Sequence, residues 1–159
     1  MKITVSSDVR LPANDVWRFA AERFGDTGLW AARLDSSHLA GELGVGATRV
    51  CRAGDDVTEE QIIAYDPDAM TLTYRQVNPP SIVARATNSW SVTARSPSTS
   101  QLAMRVELDL VWWARPLAVP MRLFVKRVLR EAQEEFVHWA KTGELHPRKQ
   151  ARARRMVST

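Results

Sequence analysis

The chain has 159 residues, 45% of them hydrophobic and 25% charged, with a formal net charge of +4, an ordinary composition for one soluble globular domain. No apolar run approaches the ~20 residues that cross a bilayer, and the segment from Met1 to Asp8 lacks a signal-peptide core, so a cytoplasmic protein is expected. The single cysteine, Cys51, excludes an internal disulfide, and the three histidines lack i, i+4 spacing, so neither a metal nor another cofactor is expected.

Ile3, Val5 and Ser7 alternate with Thr4, Ser6 and Asp8, the period of an opening strand. Pro12 pre-sets a helix carrying Ala13, Trp17, Ala20, Ala21 and Phe24, which Gly25-Asp26-Thr27-Gly28 stops, and a second short helix carries Leu29 and Trp30. Leu34 to Glu42 alternates weakly, and Gly41, Gly44 and Gly46 mark a turn before a strand from Ala47 to Ala53. Gly54-Asp55-Asp56 and Asp66-Pro67-Asp68 are turn signals around strands Val57 to Tyr65 and Met70 to Val77. After Asn78-Pro79-Pro80, Val83 to Ala94 reads as a strand with Ala84, Ala86, Trp90 and Val92 on one side. Leu102, Met104, Val106, Leu108 and Leu110 alternate with Ala103, Arg105, Glu107, Asp109 and Val111 in the clearest half-buried strand.

The last regular element starts near Pro116 or Pro120 and runs to Gly143. Leu117, Met121, Phe124, Val125, Val128, Ala132, Phe136 and Trp139 form its apolar stripe, with Arg122, Lys126 and Arg130 facing solvent. Trp112 and Trp113, just before it, are expected in the strand end and packed core. The order is α+β, with helices gathered on one face of an antiparallel sheet. One domain over residues 1–146 is expected, followed by a basic, disordered tail over 147–159 that holds much of the positive excess. That tail has no aromatic residue on which a base could stack, so nucleic acid is not an expected partner, whereas contact with a membrane surface is an alternative use of it.

The element order, Val16-Trp17, Trp30, Gly44-Val45-Gly46-Ala47-Thr48-Arg49 and Ala84-Arg85-Ala86-Thr87 together resemble the polyketide cyclase/dehydrase branch of the START/Bet v 1-like superfamily (SRPBCC), over Ile3 to Gly143. The resemblance implies a helix-grip fold: a curved seven-stranded antiparallel sheet wrapped around a long C-terminal helix, with two short helices after the first strand. It also implies a ligand between sheet and helix, and a family that includes cyclases, lipid and sterol carriers and hormone receptors. Fold therefore leaves function open.

With the family's inward parity, Glu60, Ile62 and Ala64 face the interior on one strand and Leu72, Tyr74 and Gln76 on the next, an assignment that a one-residue slip would reverse. Arg49 and Cys51 share a face of the preceding strand, where Arg49 is placed to balance Glu60. Ala86, Asn88, Trp90 and Met104 complete the sheet wall, and Met121, Phe124, Val125 and Val128 the helix wall. Cys51 has no adjacent base and reads as a small buried hydrophobe. Two functions follow. The preferred one is binding or carriage of a hydrophobic lipid-, polyketide- or aromatic-like molecule, oriented by Arg49, Glu60, Tyr74 and Gln76. The alternative is a cyclase, aromatase or dehydratase with Glu60 and Tyr74 as acid/base groups. A monomer and a homodimer are both compatible with the sequence.

Overall fold

In the computed structural model, which describes residues 1–157, the opening alternation becomes β1, Lys2–Val9, with Ile3 and Val9 buried and Lys2, Thr4 and Ser6 exposed. Short helices follow: α1 (Ala13–Trp17), a π turn over Arg18–Glu22, a 3-10 turn over Phe24–Asp26, and α2 (Thr27–Trp30). Of the glycines expected to stop the first helix, Gly25 lies in the 3-10 turn that separates it from α2 and Gly28 lies inside α2. Gly28 is required there by a close approach, because a Cβ at that position would lie 2.3 Å from the Ser37 nitrogen.

Six strands come next: β2 (Ser36–Ala40), β3 (Thr48–Ala53), β4 (Asp56–Asp66), β5 (Thr71–Gln76), β6 (Val83–Ser96) and β7 (Thr99–Leu110). With β1 they form one curved sheet in the order β1-β7-β6-β5-β4-β3-β2, antiparallel at every pairing. Two bulges alter the expected parity. Between Ile62 and Ala64 the register of β4 shifts, so Ala64 and Ile63 are exposed and Tyr65 turns inward to stack on Trp17 at 5.8 Å. Between Val83 and Arg85 a second shift leaves Ala84 exposed, whereas Ala86, Trp90 and Val92 keep the inner face.

The long helix α3, Ala118–Thr142, ends at Gly143, whose φ of 71° is the left-handed cap that a residue without Cβ adopts freely. Phe136 and Leu129 are buried and Val125 and Ala132 pack against the core, while Arg122, Lys126 and Arg130 are exposed as expected. Gln133 is fully buried and ties α3 to the sheet. Its amide donates to the carbonyls of Val5 at 2.8 Å and Leu102 at 3.2 Å, and its Oε1 accepts from Ser7 Oγ at 2.7 Å. Aromatic rings fill the space beneath: Phe24, Trp30, Tyr74, Trp90 and Phe136 lie within 5.0 to 6.5 Å of one another in a continuous chain of tilted and edge contacts.

Three expectations are corrected here. Trp112 and Trp113 are not core residues; in a 3-10 turn over Trp112–Leu117 they are exposed by 77% and 51%. Phe124, expected on the inner wall, faces outward and is 55% exposed. The expected disordered tail is a helix, α4 (Pro147–Val157), which leaves residues 158 and 159 of that tail outside the described residues.

Polar contacts dock α4. Lys149 Nζ is buried and donates to the carbonyls of Gly28 at 2.7 Å, Ala31 at 3.2 Å and Leu34, capping the end of α2, and its burial lowers its pKa. Arg148 pairs with Glu134 and with Glu135 at 3.0 Å, Glu135 accepts from the Ala32 amide at 2.8 Å, and Arg152 pairs with Asp35 at 2.7 Å. A docking that uses charges and carbonyls leaves no apolar periodicity in the sequence.

Replacing Phe136 by Ala opens a cavity in the aromatic chain and is expected to cost ~3 kcal/mol or more in urea unfolding. A loss below ~0.5 kcal/mol would place that ring outside the core. Lys149→Ala strands the α2 carbonyls and is expected to cost ~1–3 kcal/mol, again by urea unfolding. No change would show that α4 does not hold α2.

Candidate functional site

Cross-strand pairing assembles the site. Arg49 on β3 lies opposite Glu60 on β4, Glu60 opposite Gln76 on β5, Tyr74 on β5 opposite Asn88 on β6, and Asn88 and Ala86 opposite Val106 and Leu108 on β7. Because side chains alternate faces along each strand, these residues fall on the same inner face as buried Leu72, Trp90 and Met104.

Between them lies a cavity of about 190 Å³, lined by Glu60, Tyr74, Gln76, Ala86, Thr87, Asn88, Val106 and Leu108. It therefore brings together five of the residues singled out from sequence. Ile62, Leu72, Trp90 and Met104 are buried beside it in the core, and Arg49 and Cys51 sit behind Glu60. No residue of α3 lines it, so Met121, Val125 and Val128 do not form the expected helix wall; Met121, Val125 and Val128 are only partly buried. Thr87, Val106 and Leu108 were missed as site residues. Alternation with Met104 already put Val106 and Leu108 on the inner face, whereas nothing in the sequence marks Thr87, whose parity is opposite.

Arg49 is 2% exposed, and a buried guanidinium demands partners. Its Nε donates to Glu60 Oε2 at 2.8 Å and its Nη2 to the same oxygen at 2.5 Å. Nη1 donates to the Phe24 carbonyl at 3.1 Å and to Thr27 Oγ1. The guanidinium also lies 3.8 Å from the Phe24 ring centroid and 5.0 Å from that of Tyr74. Burial is the largest single effect and acts to lower its pKa, but the Glu60 charge, together with Tyr74, Cys51 and the hydrogen bond to Glu60, raises it above the ordinary arginine value.

The Cys51 thiol donates to Glu60 Oε2 at 3.6 Å, and burial, with the Glu60 charge, pushes its pKa up to about 12. A thiol so held is not a nucleophile near neutrality. All of Glu60's hydrogen bonds go to Oε2, so Oε1 carries none among the described residues.

Burial, and next the Glu60 charge, raise the Tyr74 pKa above its usual range, so the phenol stays protonated. Asn88 Nδ2 donates to its hydroxyl at 2.8 Å, and Asn88 Oδ1 is buried without a hydrogen bond among the described residues. Turning the amide over would leave the nitrogen in that position instead, so one polar atom of Asn88 stays unsatisfied either way. The cavity therefore combines an apolar floor of Ala86, Val106 and Leu108 with a carboxylate, a neutral phenol and two amides. Among the described residues no group of histidines, cysteines or carboxylates is placed to hold a metal, and no helix is long and apolar enough to cross a membrane.

The fold recurs in solved structures of low sequence identity. XoxI from Bacillus cereus is similar with a TM-score of 0.72 at 18% identity, covering 91% of this chain and 99% of that one. Ara h 8.0201 aligns with a TM-score of 0.73 at 16% identity, over 89% and 98% of the two chains. Norcoclaurine synthase from Thalictrum flavum, in complex with dopamine and hydroxybenzaldehyde, aligns with a TM-score of 0.68 at 12% identity, over 92% and 89%. No curated protein sequence matches the chain. The family described as polyketide cyclase/dehydrase and lipid transport matches residues 1–139, and with its Bet v 1-like helix-grip fold the chain belongs to that family.

Proposed function

We propose that the protein binds a compact, largely apolar molecule bearing a hydroxyl or carbonyl group in the cavity on the inner face of the sheet. The observation that carries this reading is the unsatisfied amide of Asn88 beside a neutral Tyr74 phenol, in a cavity whose floor is apolar. Buried polar atoms ordinarily have partners, and an oxygen-bearing ligand would supply one here.

Volume limits the ligand. At about 190 Å³ the space is below the ~300–1,000 Å³ of sites for drug-sized molecules and close to the ~150 Å³ of an engineered cavity that holds benzene, so one ring or a short acyl chain is the fitting size. That norcoclaurine synthase, of the same fold, forms a complex with two single-ring aromatic compounds supports this size class. A full-length lipid or multi-ring polyketide would need the aromatic chain from Phe24 to Phe136 to move.

A second reading, cyclase or dehydratase chemistry, draws on the unbonded Oε1 of Glu60 and on Tyr74, both at the cavity. The carboxylate would accept a proton and the phenol would polarise a carbonyl by donating a hydrogen bond. Burial keeps the phenol protonated, which assigns the base role to Glu60 alone.

Native mass spectrometry of freshly purified protein, followed by affinity measurement with the molecule it carries or with a screened phenol, tests the proposal. Ala86→Trp fills the cavity and is expected to abolish binding with the fold intact; retained affinity would overturn the site. Tyr74→Phe is expected to weaken binding about tenfold or more, the scale of one lost hydrogen bond to a buried group. Single-turnover rates that fall ~10²-fold in Glu60→Gln with near-parental binding would mark the enzyme. That variant also leaves Arg49 without its counter-charge, so it is expected to unfold ~2 kcal/mol more readily in urea; unchanged stability would refute the ion pair.

A further inference from the structure

The surface holds one feature that the cavity does not explain. Trp112, Trp113 and Leu117 in the 3-10 turn, and Val119, Leu123 and Phe124 at the start of α3, are all large, apolar and exposed, Trp112 by 77%, Val119 by 71% and Leu123 by 65%. They are close in sequence and occupy one turn and the first two turns of a helix, so they form a patch and not scattered singles.

Charge lies immediately behind it. The twenty residues from Val111 to Arg130 hold five basic residues and no acidic one. Arg115, Arg122, Lys126 and Arg130 are exposed and make no ion pair among the described residues. Along α3 the outward face reads Val119, Leu123, Lys126, Arg130, spaced by three or four residues, so an apolar tip gives way to a basic collar in about three turns.

We propose that this tip docks the protein on an anionic lipid surface, with the tryptophans, Val119 and Leu123 among the headgroups and the collar against lipid phosphates. Tryptophan side by side with aliphatic groups suits the boundary between water and acyl chains, and cations one or two turns back meet the negative surface potential. A second copy of the chain is the less suitable occupant. A two-fold contact through this patch would set each copy's Arg115, Arg122, Lys126 and Arg130 beside the other's, none of them offset by an ion pair among the described residues, while Arg127 is held by Glu131. No helix among the described residues is long and apolar enough to cross a membrane, so the contact is one of lying on the surface. Leu108, which lines the ligand cavity, also lines the cleft formed by Arg115 and Ala118 beside the tip. Docking would therefore bring the cavity end of the sheet to the lipid, and this last link alone rests on the binding function proposed above.

Co-sedimentation with vesicles of phosphatidylcholine alone and of equimolar phosphatidylcholine and phosphatidylglycerol tests the docking. The full chain is expected to bind the mixed vesicles at least ~10-fold more tightly than the neutral ones, and to lose most of that binding in high salt. Trp112→Ser with Trp113→Ser and Leu123→Ser should weaken binding about tenfold or more, and Arg122→Glu with Lys126→Glu should bring it to the level of neutral vesicles. All five positions are solvent-exposed, and unchanged urea unfolding confirms that the variants are folded. Absence of sedimentation, equal binding to both vesicle types, or parental binding by either variant would overturn the proposal. So would a dimer in sedimentation velocity that the serine variant dissolves, or an affinity for a single-stranded oligonucleotide exceeding that for the mixed vesicles. Ala86→Trp separates the two readings, since it should abolish ligand binding and leave vesicle binding at the parental level.

Discussion

A guanidinium almost without access to water organises the half of the molecule that carries the site. Arg49 is held by the Glu60 carboxylate on the next strand, by the Phe24 carbonyl and Thr27 hydroxyl in the short-helix region, and by the faces of Phe24 and Tyr74. A charge in that position is tolerated only while all these partners stay in place, so it couples β3, β4 and the turn before α2 into one unit. The same demand fixes Glu60. One of its oxygens is committed to Arg49, and the carboxylate is held at the cavity wall instead of swinging into solvent.

The aromatic chain behind this pair decides how much space is left. Trp30, Trp90 and Phe136 pack where sheet and α3 face each other and fill that space with rings 5.3 to 6.5 Å apart. Space survives toward the β7 side of the sheet, where Ala86 provides little volume and Asn88, Tyr74 and Glu60 bring polar atoms. Interiors pack at the density of organic crystals, so a core that holds Trp17, Trp30 and Trp90 leaves less room for a ligand than the same backbone lined with smaller residues. The cavity is accordingly compact and belongs to the sheet alone.

These distinctions explain what was legible in the sequence. Strand alternation at β1 and β7, the turn signals between β3, β4 and β5, and the stripe of α3 led to the α+β order, because burial on one face imposes period 2 or 3.6 directly, whereas the helix-grip arrangement came from the family resemblance. Arg49 was set against Glu60 through the inward parity that the resemblance implies, and the strand register places the two residues directly opposite each other. The bulges at Ile62/Ala64 and Val83/Arg85 were not, since an extra residue flips the parity without any change in composition. Phe124 misled because apolar residues at helical spacing ordinarily face a core, and the Trp112-Trp113 pair because large apolar residues after a buried strand ordinarily stay in the core, whereas here they lie in an exposed 3-10 turn. Lys149 misled in the opposite direction. A charged residue in a basic run reads as solvated, yet three backbone carbonyls, of Gly28 in α2, Ala31 at its end and Leu34 in the loop beyond, give it a buried place.

A compact ligand held on the sheet's inner face is the central proposal, and residue-resolved NMR is its most direct test. Titration of the labelled protein with a series of single-ring phenols should shift the amide signals of Gln76, Ala86, Asn88, Val106 and Leu108 together, with one saturation curve, while signals of α4 stay in place. Shifts centred on α3 between Met121 and Val128, or no saturable shift with any member of the series, would contradict it.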